Sequence, residues 1–220
     1  MISQNIAGFS LTLVVAATLG SALPARAAEH PPFAPTRDVA VAYQVQASRM
    51  PSGPIGNSNA QGEHAIRMSY SVASGRLRIE QATMPGYMLI DRTGGRITVV
   101  MEPMQSFMDM PFDNKAGAGL LLNEKMNFVR GGTDKVAGMA CNLWTVTSDK
   151  TTARLCITGD GVILRGEGSD PDRGEGKLLA TAVTYAAQPA ANFSPPPGFH
   201  RMEMPTMPPG MGGKPGKFPG

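Results

Sequence analysis

The residues that most often carry catalysis are few and scattered in this chain. Its three histidines, His30, His64 and His200, have no Cys, Asp or second His at metal-ligand spacing. No Gly-x-Ser-x-Gly motif is present, and the nearest stretch, residues 56–60, ends in Ala within a predicted loop. Nucleophilic catalysis needs a base beside its Ser or Cys, and the sequence offers none. The chain is therefore predicted not to be an enzyme and to use no cofactor.

Cys141 and Cys156 are the only cysteines. In an oxidising compartment an even count predicts a disulfide, and only one intramolecular pairing exists. Residues 141–147 and 153–157 form two predicted strands of a hairpin, which would bring the two sulfurs near each other. Two reduced, buried thiols are the alternative. A redox-active role would require a Cys-x-x-Cys motif, which the sequence lacks.

Methionine is unusually frequent, with 15 in the chain. One interpretation is that these flexible side chains fill gaps in the core. The other is an adaptable apolar cavity, because a polarisable thioether suits varied apolar ligands. For such a cavity the predicted lining residues are Met88, Ile97, Val99, Met101, Met108 and Leu121.

A second group of methionines lies near the C-terminus, beside a histidine. Thioethers are soft ligands that favour Cu(I) over hard divalent cations. An alternative function is therefore copper handling, with the candidate ligands His200, Met202, Met204 and Met207. No other metal site is predicted.

The first residues indicate export. Residues 6–23 are an apolar and small-residue run that ends at Ala25-Arg26-Ala27, an A-x-A cleavage pattern. We expect a signal peptide over residues 1–27, cleaved near Ala27, and a periplasmic location; a membrane anchor is the alternative. No later stretch reaches the roughly 18 apolar residues of a membrane span, so the mature chain is not expected to cross a membrane.

The elements that follow alternate with a period of two. Val39, Val41, Tyr43 and Val45 alternate with smaller or polar residues, and the pattern recurs up to residue 185. The sequence predicts a mainly β domain over residues 38–194: a single antiparallel curved sheet of about ten strands, in the form of an open half-barrel. One or two short helices would cover it, and one is predicted over Asn114–Asn127, where leucines occur without alternation.

The two ends of this domain are predicted to be loose. Residues 28–37 are Pro-rich and are interpreted as a flexible lead-in. The tail over residues 195–220 contains eight Pro and six Gly and is predicted to be disordered. The net charge of +3 is small and scattered, which excludes the basic stripe of a nucleic-acid-binding protein.

Four segments carry a resemblance to a known group of proteins. They are residues 35–41 (PTRDVAV), 75–80 (GRLRIE), 136–144 (VAGMACNLW) and 156–162 (CITGDGV). Over roughly residues 35–200 the chain resembles an uncharacterised family of exported alphaproteobacterial proteins. More distantly, it is similar to the outer-membrane lipoprotein carriers of the LolA/LolB type. This resemblance implies a LolA-like open sheet whose apolar concavity is suited to acyl chains.

Together these features predict a non-catalytic periplasmic binding protein. Its expected ligand is a lipid, an acylated molecule or another apolar molecule held in the concave face of the sheet. Its partners would be that ligand and an envelope protein or lipoprotein, not nucleic acid. Besides copper handling, a structural envelope protein without a ligand remains an alternative.

Overall fold

The fold is known from a computed structural model that describes residues 30–47, 62–82, 84–112, 121–148, 151–170 and 174–203. Among these residues, no helix is long and apolar enough to cross a membrane. The chain forms twelve strands: β1 (Val39–Ala47), β2 (Gly62–Ser71), β3 (Arg76–Gln81), β4 (Gly86–Asp91), β5 (Arg96–Met101), β6 (Ser106–Pro111), β7 (Asn127–Val136), β8 (Met139–Ser148), β9 (Thr151–Ile157), β10 (Ile163–Asp170), β11 (Gly174–Thr184) and β12 (His200–Met202).

All twelve strands belong to one sheet, in the order β12-β6-β5-β4-β3-β2-β1-β11-β10-β9-β8-β7. Neighbouring strands are antiparallel except β12, which runs parallel to β6. The long-range pairing of β1 with β11 joins two halves, and apart from β12 beside β6 each half is built from strands consecutive in the chain. The sheet is open and curved, as predicted, with twelve strands rather than ten.

Alternation sorts the side chains of β3–β6 onto two faces. We call one the apolar face; it carries Leu77, Ile79, Met88, Ile90, Ile97, Val99, Met101, Met108 and Met110. The other carries Arg76, Arg78, Tyr87, Leu89, Asp91, Thr98, Val100, Phe107 and Asp109. We call this second side the strapped face, because the C-terminal segment, residues 185–203, crosses it. The four central residues of β4 and of β5 are buried, which shows that both faces are covered there.

The C-terminal segment is anchored by Phe193, which is 1% exposed and packs with Tyr87, Leu89 and Val100. Residues 200–202 then add a parallel strand to β6. The predicted boundary at 195 is therefore wrong for residues 195–203. A Pro- and Gly-rich composition prevents a segment from building its own core, but it does not prevent docking onto an existing sheet. Residues 204–220 lie outside the described residues, and the tail prediction stands for them as a prediction.

Residues 30–37 also differ from the expected loose lead-in. The Thr36 amide donates to the Asp160 carbonyl at 2.9 Å, and the Arg37 guanidinium lies 3.9 Å from the centre of the Tyr185 ring. Pro31 is buried. Prolines remove regular secondary structure from this segment, and its remaining side chains still pack against the sheet.

The predicted helix over Asn114–Asn127 lies only partly within the described residues. Residues 113–120 fall outside them, and residues 121–126 form bends and a turn rather than a helix. The short helices of the described chain are 3-10 turns at Glu102–Met104 and Ala190–Phe193, and the second lies against β3.

The disulfide prediction is confirmed. Cys141 on β8 and Cys156 on β9 are bonded, with their Cα atoms 5.4 Å apart. Both cysteines are buried in the cluster that also contains Val41, Leu164 and Ala180. The bond therefore links two neighbouring strands within the core of the second half of the sheet.

Two local features fix strand ends in the first half. Gly86 begins β4 with a φ of +145°, and a Cβ there would lie 2.0 Å from the Val100 carbonyl oxygen. Asp38, just before β1, accepts hydrogen bonds from the backbone amides of Gln188 and Val72, each at 2.8 Å. These two amides lower the pKa of the Asp38 carboxyl, that of Gln188 more than that of Val72.

Candidate functional site

The apolar face is the candidate binding surface, and the structure brings the predicted lining residues together on it. Met88, Ile97 and Val99 are buried members of one hydrophobic cluster. Met101 and Leu121 pack against that cluster. Met108 lies opposite Val99, which in turn lies opposite Met88, so one row crosses three strands. Their role as ligand-lining residues remains a prediction.

Sequence reasoning left out several members of the same face. Ile79 and Ile90 are buried in the cluster, while Met68, Leu77, Met110 and Phe112 pack at its margin. The signal that could have found the strand residues is the phase of alternation. Ile79, Ile90 and Met110 each lie two positions from, or in register with, a predicted member, and Leu77 and Met68 lie in register with Ile90 and Ile79. The face is therefore a continuous stripe over β3–β6 rather than six separate positions.

A second hydrophobic cluster, around Trp144, is built partly from aromatic rings. Phe33 stacks on His30 with ring centres 4.5 Å apart, and it lies 5.8 Å from Phe128. Phe128 meets Trp144 edge to face at 6.3 Å. Trp144, the single tryptophan, is buried beside Leu122.

Arg92 connects this aromatic cluster to the apolar face. Its Nη1 donates to the Phe33 carbonyl at 2.7 Å and its Nη2 to the Leu122 carbonyl at 2.8 Å. Leu121 packs on the apolar face and Leu122 packs beside Trp144. One guanidinium thus ties residues 30–37 and residues 121–122 to the hairpin between β4 and β5.

The strapped face holds the charged side chains, and they are committed to the C-terminal segment. Nη1 of Arg76 donates to the Phe193 carbonyl at 3.0 Å, and Nη1 of Arg78 donates to the Asn192 carbonyl at 3.1 Å. The Arg78 guanidinium also lies 3.4 Å from the centre of the Tyr87 ring. Arg76 and Arg78 are therefore partly covered by a segment that is distant in sequence and do not form a fully solvated strand face.

A cavity of about 180 Å³ remains between this segment and the sheet. Asp91 and Asp109 line it together with Arg76 and Arg96. Asp91 lies 3.1 Å from the Arg76 guanidinium, and the Gly94 amide, more than Arg76, lowers the pKa of its carboxyl. Asp109 accepts a hydrogen bond from a threonine hydroxyl at 2.5 Å. Both carboxylates are thus ion-paired or hydrogen-bonded by the sheet itself.

The candidate copper ligands are only partly described. His200 and Met202 lie on β12, whereas Met204 and Met207 lie outside the described residues. In the described ranges, no group of three or more His, Cys, Asp and Glu residues is arranged to hold a metal.

With this geometry in place, comparison with other proteins identifies the family. Residues 55–168, just over half of the chain, match the Domain of unknown function (DUF4412). The chain belongs to the DUF4412 family. The match covers β2–β9 and most of β10. β1 precedes the matched residues and β11 follows them, and these two strands pair with each other in the sheet. The expected membership of an uncharacterised family is confirmed.

Solved structures share the fold of this DUF4412 protein at low identity. An uncharacterised conserved protein from Thermus thermophilus is 11% identical, with a TM-score of 0.51 over 76% of this chain and 90% of that one. MucB in the Pseudomonas aeruginosa MucA/MucB complex is 14% identical, with a TM-score of 0.44 over 71% and 55%. A Vibrio parahaemolyticus domain named for a proposed role in sorting outer membrane lipoproteins is 8% identical, with a TM-score of 0.32 over 71% and 89%.

The first of these similarities supports the open-sheet fold alone, and the other two are too low to support a functional argument. No curated protein matches the chain in sequence.

Proposed function

We propose that this DUF4412 protein is a non-catalytic periplasmic binding protein that holds a lipid, an acylated molecule or another apolar ligand against the apolar face. The observation that carries the proposal is the continuous stripe of aliphatic and thioether side chains over four consecutive strands. Met68, Met101 and Met110 lie at its margin and are only partly buried. Unbranched thioethers at a margin can change rotamer to fit ligands of different shape.

The arrangement of the two faces supports this assignment. The strapped face is closed by a segment of the chain itself, with an aromatic anchor and hydrogen bonds from arginines. The apolar face has no comparable polar anchors among its described strand residues; its contacts are made by apolar side chains such as Phe112 and Leu121. Contacts of this kind are non-directional, so an acyl chain can replace them without leaving a buried polar group unpaired.

The proposed location rests on the export pattern of residues 1–27 and on the disulfide. A bond between Cys141 and Cys156 is expected to persist in an oxidising compartment and not in a reducing one. Cell fractionation of the full-length chain would test this location. Recovery of the uncleaved protein in the cytoplasm would contradict it.

Ligand binding can be tested with a fluorescent fatty acid and with native mass spectrometry of protein purified from the periplasm. Met101→Gln places an amide at the margin of the apolar face, whereas Met104→Gln changes a methionine that is 59% exposed in a 3-10 helix. An amide without a partner in apolar surroundings costs about 1–3 kcal/mol. Since 1.4 kcal/mol corresponds to about tenfold in affinity, Met101→Gln should weaken binding about tenfold.

The matched variant Met104→Gln should bind the probe as the wild type does. A wild-type protein that carries no apolar molecule from the periplasm and ignores the fatty acid would contradict the proposal. That result would favour a structural envelope protein whose sheet only packs on itself.

A further inference from the structure

The parallel pairing of β12 with β6 brings together residues that are about ninety positions apart in the sequence. In this register Met202 lies beside Met108, and His200 lies beside Ser106. Paired residues of neighbouring strands point to the same side of a sheet and lie about 4.8 Å apart in the hydrogen-bonding direction. Met108 belongs to the apolar face, so Met202 and His200 extend that face to the edge of the sheet.

The three side chains lie within reach of one another. His200 and Met202 are two positions apart on one strand, which corresponds to roughly 6.6 Å on the same side. His200 and Met108 are diagonal neighbours across the parallel pair, and the strand spacing of about 4.8 Å with a two-residue rise of about 6.6 Å separates them by about 8 Å. An atom above this edge can therefore contact two thioether sulfurs and one imidazole nitrogen.

We propose that this edge is a Cu(I) site formed by Met108, Met202 and His200. The donor set is neutral and soft, with two thioethers and an imidazole, and it contains no carboxylate. Such ligands select Cu(I), whereas Mg²⁺, Ca²⁺ and Mn²⁺ prefer carboxylate and carbonyl oxygens. The site shares Met108 with the apolar face, but it takes a metal ion through β12 and therefore goes beyond the function proposed above.

Exposure and charge are compatible with entry of a cation. Met202 is 38% exposed and His200 is exposed, while Met108 is half-buried. Arg201, between the two β12 ligands, points to the strapped face, where its Nη2 lies 3.1 Å from Asp109. The nearest guanidinium of the strand is therefore neutralised and directed away from the proposed site.

Two contacts that do not involve the proposed metal ligands' side chains explain why β12 keeps its position without the metal. The His200 amide donates to the Gln105 carbonyl at 2.9 Å, and the Arg201 side chain pairs with Asp109. Backbone and Arg201 thus dock the strand, so the side chains of His200 and Met202 are not required for docking. Variants of these two side chains should consequently keep the fold.

The test is an anaerobic titration of the full mature chain with Cu(I) in competition with a chromogenic Cu(I) chelator, with stoichiometry from native mass spectrometry. The variants are Met108→Leu, Met202→Leu and His200→Asn; leucine keeps the volume and removes the sulfur. Met104→Leu is the matched control, because it removes an exposed thioether outside the pair of strands. Far-ultraviolet circular dichroism and urea unfolding check that each variant is folded.

We expect one Cu(I) per wild-type chain and an affinity at least about tenfold lower in each of the three variants. Even the loss of an outer-shell partner costs a metal site about 10- to 100-fold. The Met104→Leu control should bind as the wild type does.

A triple variant, Met204→Leu/Met207→Leu/Met211→Leu, separates this site from one in the tail alone. Retained binding in the triple variant supports the edge site. Folded Met108→Leu and Met202→Leu proteins that bind Cu(I) with wild-type affinity would overturn the proposal. So would a result in which only the triple variant loses binding, or a wild-type chain that takes no Cu(I) from the chelator. Fatty-acid binding by the Met202→Leu and His200→Asn proteins, whose substitutions lie outside the six predicted lining residues, reports on the apolar face independently.

Discussion

Replacing Phe193 with alanine should destabilise the whole domain, although this residue falls two positions before the triproline that begins the Pro- and Gly-rich tail. Phe193 is 1% exposed and packs with Tyr87, Leu89 and Val100. Truncation of a buried phenylalanine removes its transfer free energy and leaves a cavity, and this costs about 3–5 kcal/mol. Because domains are stable by only about 5–15 kcal/mol, the loss is a large share of the total.

The loss of unfolding free energy in Phe193→Ala cannot exceed the free energy with which the C-terminal segment docks on the sheet. If the variant segment detaches rather than leaving a cavity, the loss equals its docking free energy. That free energy includes the hydrogen bonds from Arg76 and Arg78 to the carbonyls of residues 193 and 192. Bonds from a charged donor contribute about 1.5–3 kcal/mol each, so both routes predict a loss of similar size.

Equilibrium urea unfolding followed by tryptophan fluorescence measures this change, because Trp144 is the single tryptophan and lies in the other half of the sheet. With a slope of about 2–3 kcal/mol/M, the midpoint should fall by about 1–2.5 M urea. The control Met104→Ala changes a side chain that is 59% exposed and should shift the free energy by less than about 0.5 kcal/mol. A Phe193→Ala protein within about 1 kcal/mol of the wild type would refute the conclusion that Phe193 anchors the C-terminal segment on the strapped face.

Three further outcomes follow from the core and the strand ends. Replacing Cys141 and Cys156 with serine should lower the free energy of unfolding by about 3 kcal/mol, since the bond closes a loop of 15 residues. Chemical denaturation with and without reductant measures this change, and an unchanged midpoint would contradict the prediction. The carboxyl pKa of Asp38 lies below its ordinary value of 3.8, so the ionised carboxylate stabilises the fold at neutral pH and this stabilisation is lost as the pH falls below that value. Asp38→Asn should be less stable at pH 7, and its melting temperature should fall less steeply on acidification. Gly86→Ala should cost about 2–5 kcal/mol through the backbone clash and the positive φ, whereas Gly132→Ala, where a Cβ meets open space, should be nearly neutral in the same melts.

The candidate site illustrates how far a local pattern reaches. The two-residue repeat of a strand predicts which side chains of one strand share a face, because successive Cβ atoms point to opposite sides. Periodicity therefore places Ile97, Val99 and Met101 on one face of β5, whereas the strand register adds Met88, which lies opposite Val99. The same rule could not predict that Phe112 and Leu121 pack against this face. Both lie outside the strands, and a residue outside a strand does not alternate between two faces.

Other features were hidden because their partners are distant in the chain. Arg76 and Arg78 look like a solvated strand face until the C-terminal segment supplies carbonyls more than a hundred positions away. Composition predicted a disordered tail from residue 195, yet His200–Met202 pair with β6, because an open edge of a sheet offers unpaired backbone groups to any extended segment.

The sequence by itself determined the class of the fold, the disulfide and the alternation within the strands that it predicted, because these depend on local periodicity and on the pairing of only two cysteines. The tertiary structure alone decided the strand order, the pairing of β1 with β11, the covering of the strapped face and the meeting of Met108 with Met202 and His200. These depend on which distant segments satisfy one another's hydrogen bonds and apolar surface, and no window of neighbouring residues contains that information.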